Sequence, residues 1–437
     1  MKRELMHRLI SWKASSWRKP LLLMGTRQVG KTTLLRTFGK THYRNVVEIN
    51  FDNQPALKTL FEQNLKPERI VRDIALELET DIIPGETLLF FDEIQECPNA
   101  LNSLKYFREN ANQYHVCGAG SLLGVKLKHT QGFPVGQVHF EQLYPLNFFE
   151  FLDALDQARL KNYLLELSAD EEINEAIHQK CLEYLKYYLL VGGMPEAVDR
   201  YQKTQQFEMV RVVHRNILNS YDLDFIKHAP HHLVMKIRDC FHSITSQLGK
   251  ENKKFIYSVI REGARARNYE EALEWLIEAN LFYKVYHLSA PKVPLRAYEE
   301  LQCFKAYFCD VGLLNTLADL PLKTLIHGND LFQEFHGALT ENFVAQTLWT
   351  EQHRLHYWTS DHRAEIDFIL QLEDSIYPLE VKSGFSKHKK SLQVYMDKYN
   401  PPLSIRCSPM NLKRDGNLLN IPLYLLQNLN KVIALAK

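Results

Sequence analysis

The stretch Leu21 to Leu35, LLLMGTRQVGKTTLL, limits what this chain can fold into more than any other. Its four leading apolar residues, Leu21 to Met24, read as a buried strand of a parallel sheet. Gly25-x-x-x-x-Gly30-Lys31-Thr32 follows and fits the phosphate-binding loop pattern at every fixed position. Helical sequence comes next, with Leu34, Leu35 and Phe38 on one side. Gly25 and Gly30 let the backbone turn tightly and bring its N–H groups close to an anion. Lys31 would place its charge on the outer phosphates and Thr32 would offer a hydroxyl to Mg²⁺. The helix beginning near Lys31 adds the positive end of its dipole. The expected ligand is ATP with Mg²⁺, held by Gly25, Thr26, Arg27, Gln28, Val29, Gly30, Lys31, Thr32 and Thr33.

A second signal is independent of the first. Leu88-Leu89-Phe90-Phe91-Asp92-Glu93 is another apolar strand, and it ends in two carboxylates. A sheet covered on both faces carries carboxylates only at its strand ends. Asp92 is expected to hold Mg²⁺ through water, and Glu93 to orient and deprotonate the attacking water. His115 to Ser121 reads as a further strand ending at a small polar residue. In nucleotide-hydrolysing sheets this strand lies between the phosphate loop and the carboxylate strand. Ser121 is therefore a candidate to touch the γ-phosphate or the attacking water, and capping of the next helix would use the same hydroxyl. Val46 to Phe51 reads as one more strand, with Asn50 and Asp52 at its end. Residues 56–79 and 100–111 read as helices, and Leu5, Leu9, Ile10 and Trp12 mark a helix near the start whose basic residues read as a solvated face.

A chain of 437 residues exceeds one core, so two to four domains are expected. Lys plus Arg number 53 and Asp plus Glu 52, so net charge names no partner and nucleic-acid binding would need local patches. Seven dispersed cysteines form no C-x-x-C pair, which argues against zinc and suits a reducing cytosol. No apolar run approaches about 18 residues, and charges interrupt the first 19 residues. Neither a membrane span nor a signal peptide is inferred, and a cytoplasmic location is expected.

GTRQVGKTTLL, FFDEIQ, GAGSLLG and FPVGQVHFEQLYPLNFFEFL, in that order and spacing, resemble a widespread prokaryotic family of AAA-type ATPases. Those proteins carry a C-terminal domain of unknown function with a restriction-endonuclease-like fold. The resemblance continues through GGMPEAV, NKKFIYSVIREGAR, EALEWL, FYKVY, GALTENFV, AEIDF and LEVKSG, and so covers nearly the whole chain. It implies an α/β protein with a P-loop parallel-sheet ATPase core over 1–155, a helical lid and winged-helix region over 156–300, and a restriction-endonuclease-like α/β domain over 301–437. Members often have Lys or Arg after the Gly of FPVG, where this chain has Gln137 and no charge to offer a phosphate. Gly192-Gly193-Met194-Pro195 resembles the Gly-x-Pro of related regulatory ATPases, in which the proline lies near the adenine. From the residues alone it is a helix break after the helix-rich stretch 151–190.

Residues 231–300 read as three helices and two strands, the order of a winged helix. The third helix carries Glu270, Glu271, Glu274 and Glu278 and no Lys or Arg, so DNA phosphates would repel it. Its expected role is protein or interdomain contact. Lys253, Lys254, Arg261, Arg265 and Arg267 precede it and could touch a nucleic-acid backbone.

Farther on, a helix from Gly337 carries Glu341. Tyr357-Trp358 starts a strand, Asp361-His362-Arg363 turns, and Glu365 to Leu370 and Ile376 to Lys382 read as strands. Alternation places Glu380 and Lys382 on one face, and in a hairpin Asp367 can stand beside them. Asp367, Glu380 and Lys382 then form the D…E-x-K set of metal-dependent nucleases, in which two carboxylates hold a divalent cation and Lys steadies the attacking water. Glu341 could add a ligand, and Lys387-His388-Lys389-Lys390, with Gln393 and Tyr395, lies where a phosphate could rest. The alternative pairs Glu380 and Lys382 with each other and with Arg363. The pattern also occurs as Asp239…Glu251-Asn252-Lys253 in helical-looking sequence, so strand context and the resemblance favour the C-terminal copy.

Two functions stand. One is an ATP-hydrolysing switch whose C-terminal domain contacts or cleaves nucleic acid. The other is an ATP-dependent regulator or scaffold that acts through protein contacts and has an inert nuclease-like domain. Nothing resembles the signature of transporter ATPases, and nothing selects an arginine finger, Arg108 being only conceivable.

Overall fold

The computed structural model describes residues 1–127, 136–167, 171–250, 253–327, 333–360, 364–385 and 390–435. Residues 133–135 of the FPVG segment, Glu251, Asn252, Asp361, His362, Arg363, Lys387, His388 and Lys389 lie outside the described residues. The chain divides into two compact units, 1–144 with 278–280, and 145–277 with 281–437.

The first unit is built on five strands: β1 (Leu21–Met24), β2 (Asn45–Asn50), β3 (Thr87–Asp92), β4 (His115–Ala119) and β5 (His139–Gln142). They lie in the order β2-β3-β4-β1-β5, with parallel pairings throughout. β4 therefore sits between the phosphate-loop strand and the carboxylate strand, as the sequence leads one to expect. All six residues of β3 are buried. Such a strand can exist only with both faces covered, which the helices Lys31–His42, Pro67–Glu77 and Pro98–Asn110 make possible. Phe51, Phe61 and Phe91 pack ring against ring in the core.

The single helix expected over 56–79 is a short 3-10 turn, Pro55–Phe61, followed by the helix Pro67–Glu77. Pro67 lacks an N–H and keeps Lys66 extended, so a continuous helix cannot pass. The basic residues around the first helix, Leu5–Ala14, also differ from the expected solvated face. Arg3 donates to the carbonyls of Val29 (2.9 Å) and Tyr144 (2.6 Å), Arg18 to that of Asn112 (2.7 Å), and Arg8 pairs with Glu141 (2.6 Å). They fasten the N-terminal segment to the phosphate loop and to β5.

The second unit opens with helices, among them Glu175–Val191, Pro195–Thr204, Phe207–His228 and Val234–Leu248. Then come Tyr257–Ile260, Ala266–Glu278 and two antiparallel strands, β6 (Phe282–Leu288) and β7 (Glu299–Phe308). Arg296, expected to open the second strand, lies in the 3-10 turn Leu295–Tyr298. β6 also pairs in parallel with β8 (His356–Thr359), joining the hairpin to β9 (Glu365–Leu372), β10 (Ser375–Val381), β11 (Ser404–Ser408), β12 (Lys413–Asp415) and β13 (Leu418–Pro422). The result is one mixed sheet in the order β12-β13-β11-β10-β9-β8-β6-β7. The boundary expected near residue 300 falls inside β7. Among the described residues no helix is long and apolar enough to cross a membrane.

Candidate functional site

At the end of β1 the loop turns where glycine is required. Gly25 has φ +148°, and a Cβ there would stand 2.2 Å from the Leu143 carbonyl oxygen. Gly30, at φ 92°, starts the helix Lys31–His42. Thr26 and Val29 are buried, Arg27 is partly buried, and Gln28 and Thr33 are exposed. Lys31 is 6% exposed, and its Nζ donates to the carbonyls of Gly25 (2.9 Å) and Thr26 (2.8 Å). Burial lowers its ammonium to about 8, against the pull of Glu93 and Asp92.

Thr32 Oγ1 donates to Asp92 Oδ2 at 3.0 Å. Asn50, paired with Asp92 in the β2–β3 register, donates to the same oxygen at 3.0 Å. Asp92 is 3% exposed, and burial, then Glu93, raises its carboxyl above the usual range. Both donors are neutral, so the charge on Asp92 is not cancelled. With the Thr32 hydroxyl beside it, this is a hard-oxygen set of the kind Mg²⁺ takes. Glu93 follows β3 in a left-handed conformation, φ 48°. Its Oε2 accepts from Gln95 Nε2 at 2.5 Å and its Oε1 from Ser121 Oγ at 3.4 Å. Lys31, Thr32, Asp92, Glu93 and Ser121 thus gather at the C-terminal ends of β1, β3 and β4. Asn50 was not singled out from sequence as a site residue; its signal is its place at the end of the strand beside β3.

Pro195 is the first residue of the helix Pro195–Thr204 in the second unit. The break before it is fixed by buried bonds. Gly193 N–H donates to Asp310 Oδ2 at 2.6 Å, and a Cβ on Gly193 would meet the Leu146 carbonyl oxygen at 2.1 Å. Burial pushes the Asp310 carboxyl up to about 6. Gln137 is partly buried, as is Arg108 on the helix Pro98–Asn110.

In the second unit β9 and β10 form the expected hairpin, with Leu379 opposite Phe368. Asp367 Oδ2 accepts from the Val381 N–H at 2.7 Å. Glu380 is 3% exposed and pairs with Lys382 at 2.7 Å, while its Oε2 is buried without a hydrogen-bond partner among the described residues. Glu341, on the helix Gln333–Thr350, accepts through Oε1 from Lys305 Nζ (3.1 Å) and Tyr307 Oη, and through Oε2 from Lys253 Nζ. Lys305, fully buried in β7, also stands 2.5 Å from Glu365 Oε1. Burial disfavours the Glu341 anion, but Lys305 and Lys253 outweigh it and hold the carboxyl at about 2. Burial, then Glu341, pushes the Asp367 carboxyl up to about 7. Among the described residues no group of three or more His, Cys, Asp or Glu could hold a metal ion.

Other expected contacts are occupied differently. Tyr395 packs edge-on against Trp358 in the core, and Gln393 donates to Asp397 at 2.8 Å. In the other D…E-x-K match Asp239 accepts from Tyr269 Oη at 3.1 Å, while Lys253 turns to Glu341. On the acidic helix Glu274 pairs with Lys284 at 2.5 Å. Lys305 and Tyr307 escaped the sequence reading; their signal is a lysine inside an apolar strand, with a tyrosine two residues on and so on the same face.

Residues 17–152 match the family model of an AAA domain. Residues 182–324 and 336–426 match two domains of unknown function, DUF8612 and DUF4143. No curated protein matches the chain. Among solved structures, the Walker-type ATPase paby2304 of Pyrococcus abyssi is 18% identical, over 72% of this chain and 95% of that one, with a TM-score of 0.46. The Aeropyrum pernix ORC1 protein in complex with DNA is 13% identical over 74% and 92% (TM-score 0.29). AMPPCP-bound DnaA from Aquifex aeolicus is 15% identical over 63% and 87% (TM-score 0.29). These likenesses are too loose to transfer a role to any residue. The match over 17–152, on a parallel sheet with a complete phosphate loop, makes the N-terminal part of this chain an AAA-type P-loop ATPase domain.

Proposed function

We propose that the protein is an Mg²⁺-dependent, ATP-hydrolysing switch with its ATPase core in 1–155, its lid and winged-helix region in 156–300 and its nuclease-like output in 301–437. The observation that carries the reading is the meeting of Thr32, Asp92, Glu93 and Ser121 at the strand ends beside Lys31. On nucleotide binding, the backbone of Gly25 to Thr33 cradles the phosphates and Lys31 exchanges its two carbonyl partners for phosphate oxygens. Thr32, and Asp92 through water, would hold Mg²⁺, which would supply positive charge against the phosphate oxygens. Glu93, turned out of its strand and steadied by Gln95 and Ser121, takes the proton of the attacking water.

For the output, contact with other macromolecules is favoured over cleavage, because Glu380 is paired with Lys382 and the acidic third helix would repel nucleic acid. The scaffold reading therefore stands ahead of the nuclease reading.

The test is Glu93→Gln. Single-turnover ATP hydrolysis should fall about 10²- to 10⁴-fold while Mg·ATP affinity stays at the parental value. Hydrolysis at the parental rate would remove Glu93 as the base.

A further inference from the structure

The helix Phe207–His228 carries a pattern on each of its two faces. The inner face buries Val210, Val213, Ile217, Leu218, Tyr221 and Phe225. His214 fixes it there through hydrogen bonds with Thr316 (3.0 Å) and the Val191 carbonyl (2.9 Å). The outer face runs through Met209, Val212, Asn216, Asn219, Leu223 and Ile226, all exposed among the described residues. Their spacing of 3, 4, 3, 4 and 3 residues is the heptad seam of a helix that packs along another helix. The four apolar members are 38–66% exposed. A lone exposed apolar side chain is ordinary, whereas four on one seam form a surface that gains by being covered.

The seam reads the same in both directions. Its midpoint lies between Ile217 and Leu218. About that point Met209 mirrors Ile226, Val212 mirrors Leu223, and Asn216 mirrors Asn219. Two copies of the helix laid antiparallel about a two-fold axis at the midpoint set apolar residue against apolar residue and amide against amide in every layer. A patch that complements itself in this way is what a two-fold dimer requires. The central amides fix the register. An Asn side chain both donates and accepts, so two of them satisfy each other. A slip of one heptad would set Asn216 against Ile226 or Val212 and leave the amide unpaired.

Charge fixes the direction. In the antiparallel pair Arg215 flanks Asp222 of the second copy, a carboxylate that Arg238 already holds in place at 2.9 Å. Glu208 then lies level with Lys227 of the second copy. A parallel pair would set Glu208 level with Glu208 and Lys227 level with Lys227, and would align the two helix dipoles, so like charge would meet like at both ends.

We propose that the protein pairs with a second copy of itself, through antiparallel packing of the helix Phe207–His228 along this seam. The same six residues supply both sides of the contact, which is why the occupant of the face is another copy of the chain. The inference goes beyond the switch reading and does not depend on nucleotide.

The experiment is sedimentation equilibrium of the full-length chain without nucleotide. The parent should dimerise with a dissociation constant of about micromolar, the weak end for so small an interface. Val212→Lys and Leu223→Glu each bury charge in the seam, and each should weaken the dimer by about 100-fold or more. Both positions are exposed in the single copy, so circular dichroism of each variant should match the parent. Mixed in equal amounts, the two variants should regain the parental dimer. One layer then pairs the new ammonium with the new carboxylate, and its mirror layer keeps Val212 and Leu223. A parallel pair would give no such rescue. A parent that is monomeric at about 100 μM would overturn the proposal and leave the face to a different protein. A parental dimer that neither substitution weakens would overturn it, as would two monomeric variants that stay monomeric when mixed.

Discussion

Asp92 and Glu341 are equally buried, each 3% exposed, and their carboxyls shift in opposite directions. Asp92 is held by a hydroxyl and an amide beside the second carboxylate Glu93, and it is raised. Glu341 is held by two ammonium groups and a phenol, and it is lowered to about 2. Burial is common to both, so it cannot be what separates them; the charge of the donors does. Neutral donors orient a carboxylate and leave its charge for an incoming cation. Cationic donors orient it and cancel the charge. The first arrangement suits a site that must load and unload, the second a site that stays as folded.

The contrast can be broken most forcefully at the lysines. Lys305→Met takes the buried ammonium away from the interior carboxylate Glu341 and from the partly exposed Glu365 and should cost about 3–5 kcal/mol, read as a lowered urea midpoint of the second unit. Lys31→Met should not destabilise the ATP-free protein, because it removes a charge whose desolvation outweighs the pull of Glu93 and Asp92 and whose hydrogen bonds go to two carbonyls, yet it should abolish tight ATP binding in a filter or calorimetric assay. Equal destabilisation by the two substitutions would erase the distinction.

Next in size is pH. The Lys31 ammonium lies at about 8 in the folded chain against 10.5 ordinarily, so between those values the unfolded state holds more protons and stability rises with pH. The gain, on the order of 3 kcal/mol, should vanish in Lys31→Met. Glu341 has its window on the acid side. Its folded value of about 2 lies below the ordinary 4.5, so its contribution is complete above 4.5 and is lost as pH falls toward 2. Glu341→Gln should flatten that limb, and unfolding curves of parent and variant at each pH measure both windows. A smaller effect belongs to Asn50→Ala, which removes one neutral donor from Asp92 and should cost about 1 kcal/mol in stability and a few-fold in ATP turnover. Smallest is Glu274→Gln, whose partner Lys284 it meets near solvent; a stability change within about 1 kcal/mol is expected in a urea titration.

The two sites were not equally legible. Gly25 to Thr33, Asp92 and Glu93 are close in sequence to a strand end, where period and motif coincide, so their place at the ends of β1 and β3 could be read directly. What was missed there comes from neighbouring strands: Asn50 reaches Asp92 only through the β2–β3 register. The hairpin bearing Asp367 and Glu380 was readable from alternation, but the partners of Glu341 were not. Lys253 and Lys305 precede it by 88 and 36 residues and meet it through sheet assembly. Lys253 even belonged to a motif match set aside as chance, since pairing partners far apart in sequence leave no periodic mark.

β7 carries Lys305 and Tyr307, and the chain lays Lys253 against it, while Glu341, Glu365 and Asp367 are all later in the sequence. During synthesis from the N-terminus the cations are therefore made before any of their anions. The β6–β7 hairpin leaves the ribosome with an ammonium group that has no buried partner, and it cannot close over Lys305 until the helix with Glu341 and strand β9 have followed. A fragment that starts at residue 309 would inherit the opposite defect, carboxylates without their lysines, and so would be a poor stand-in for the sheet that the whole chain builds.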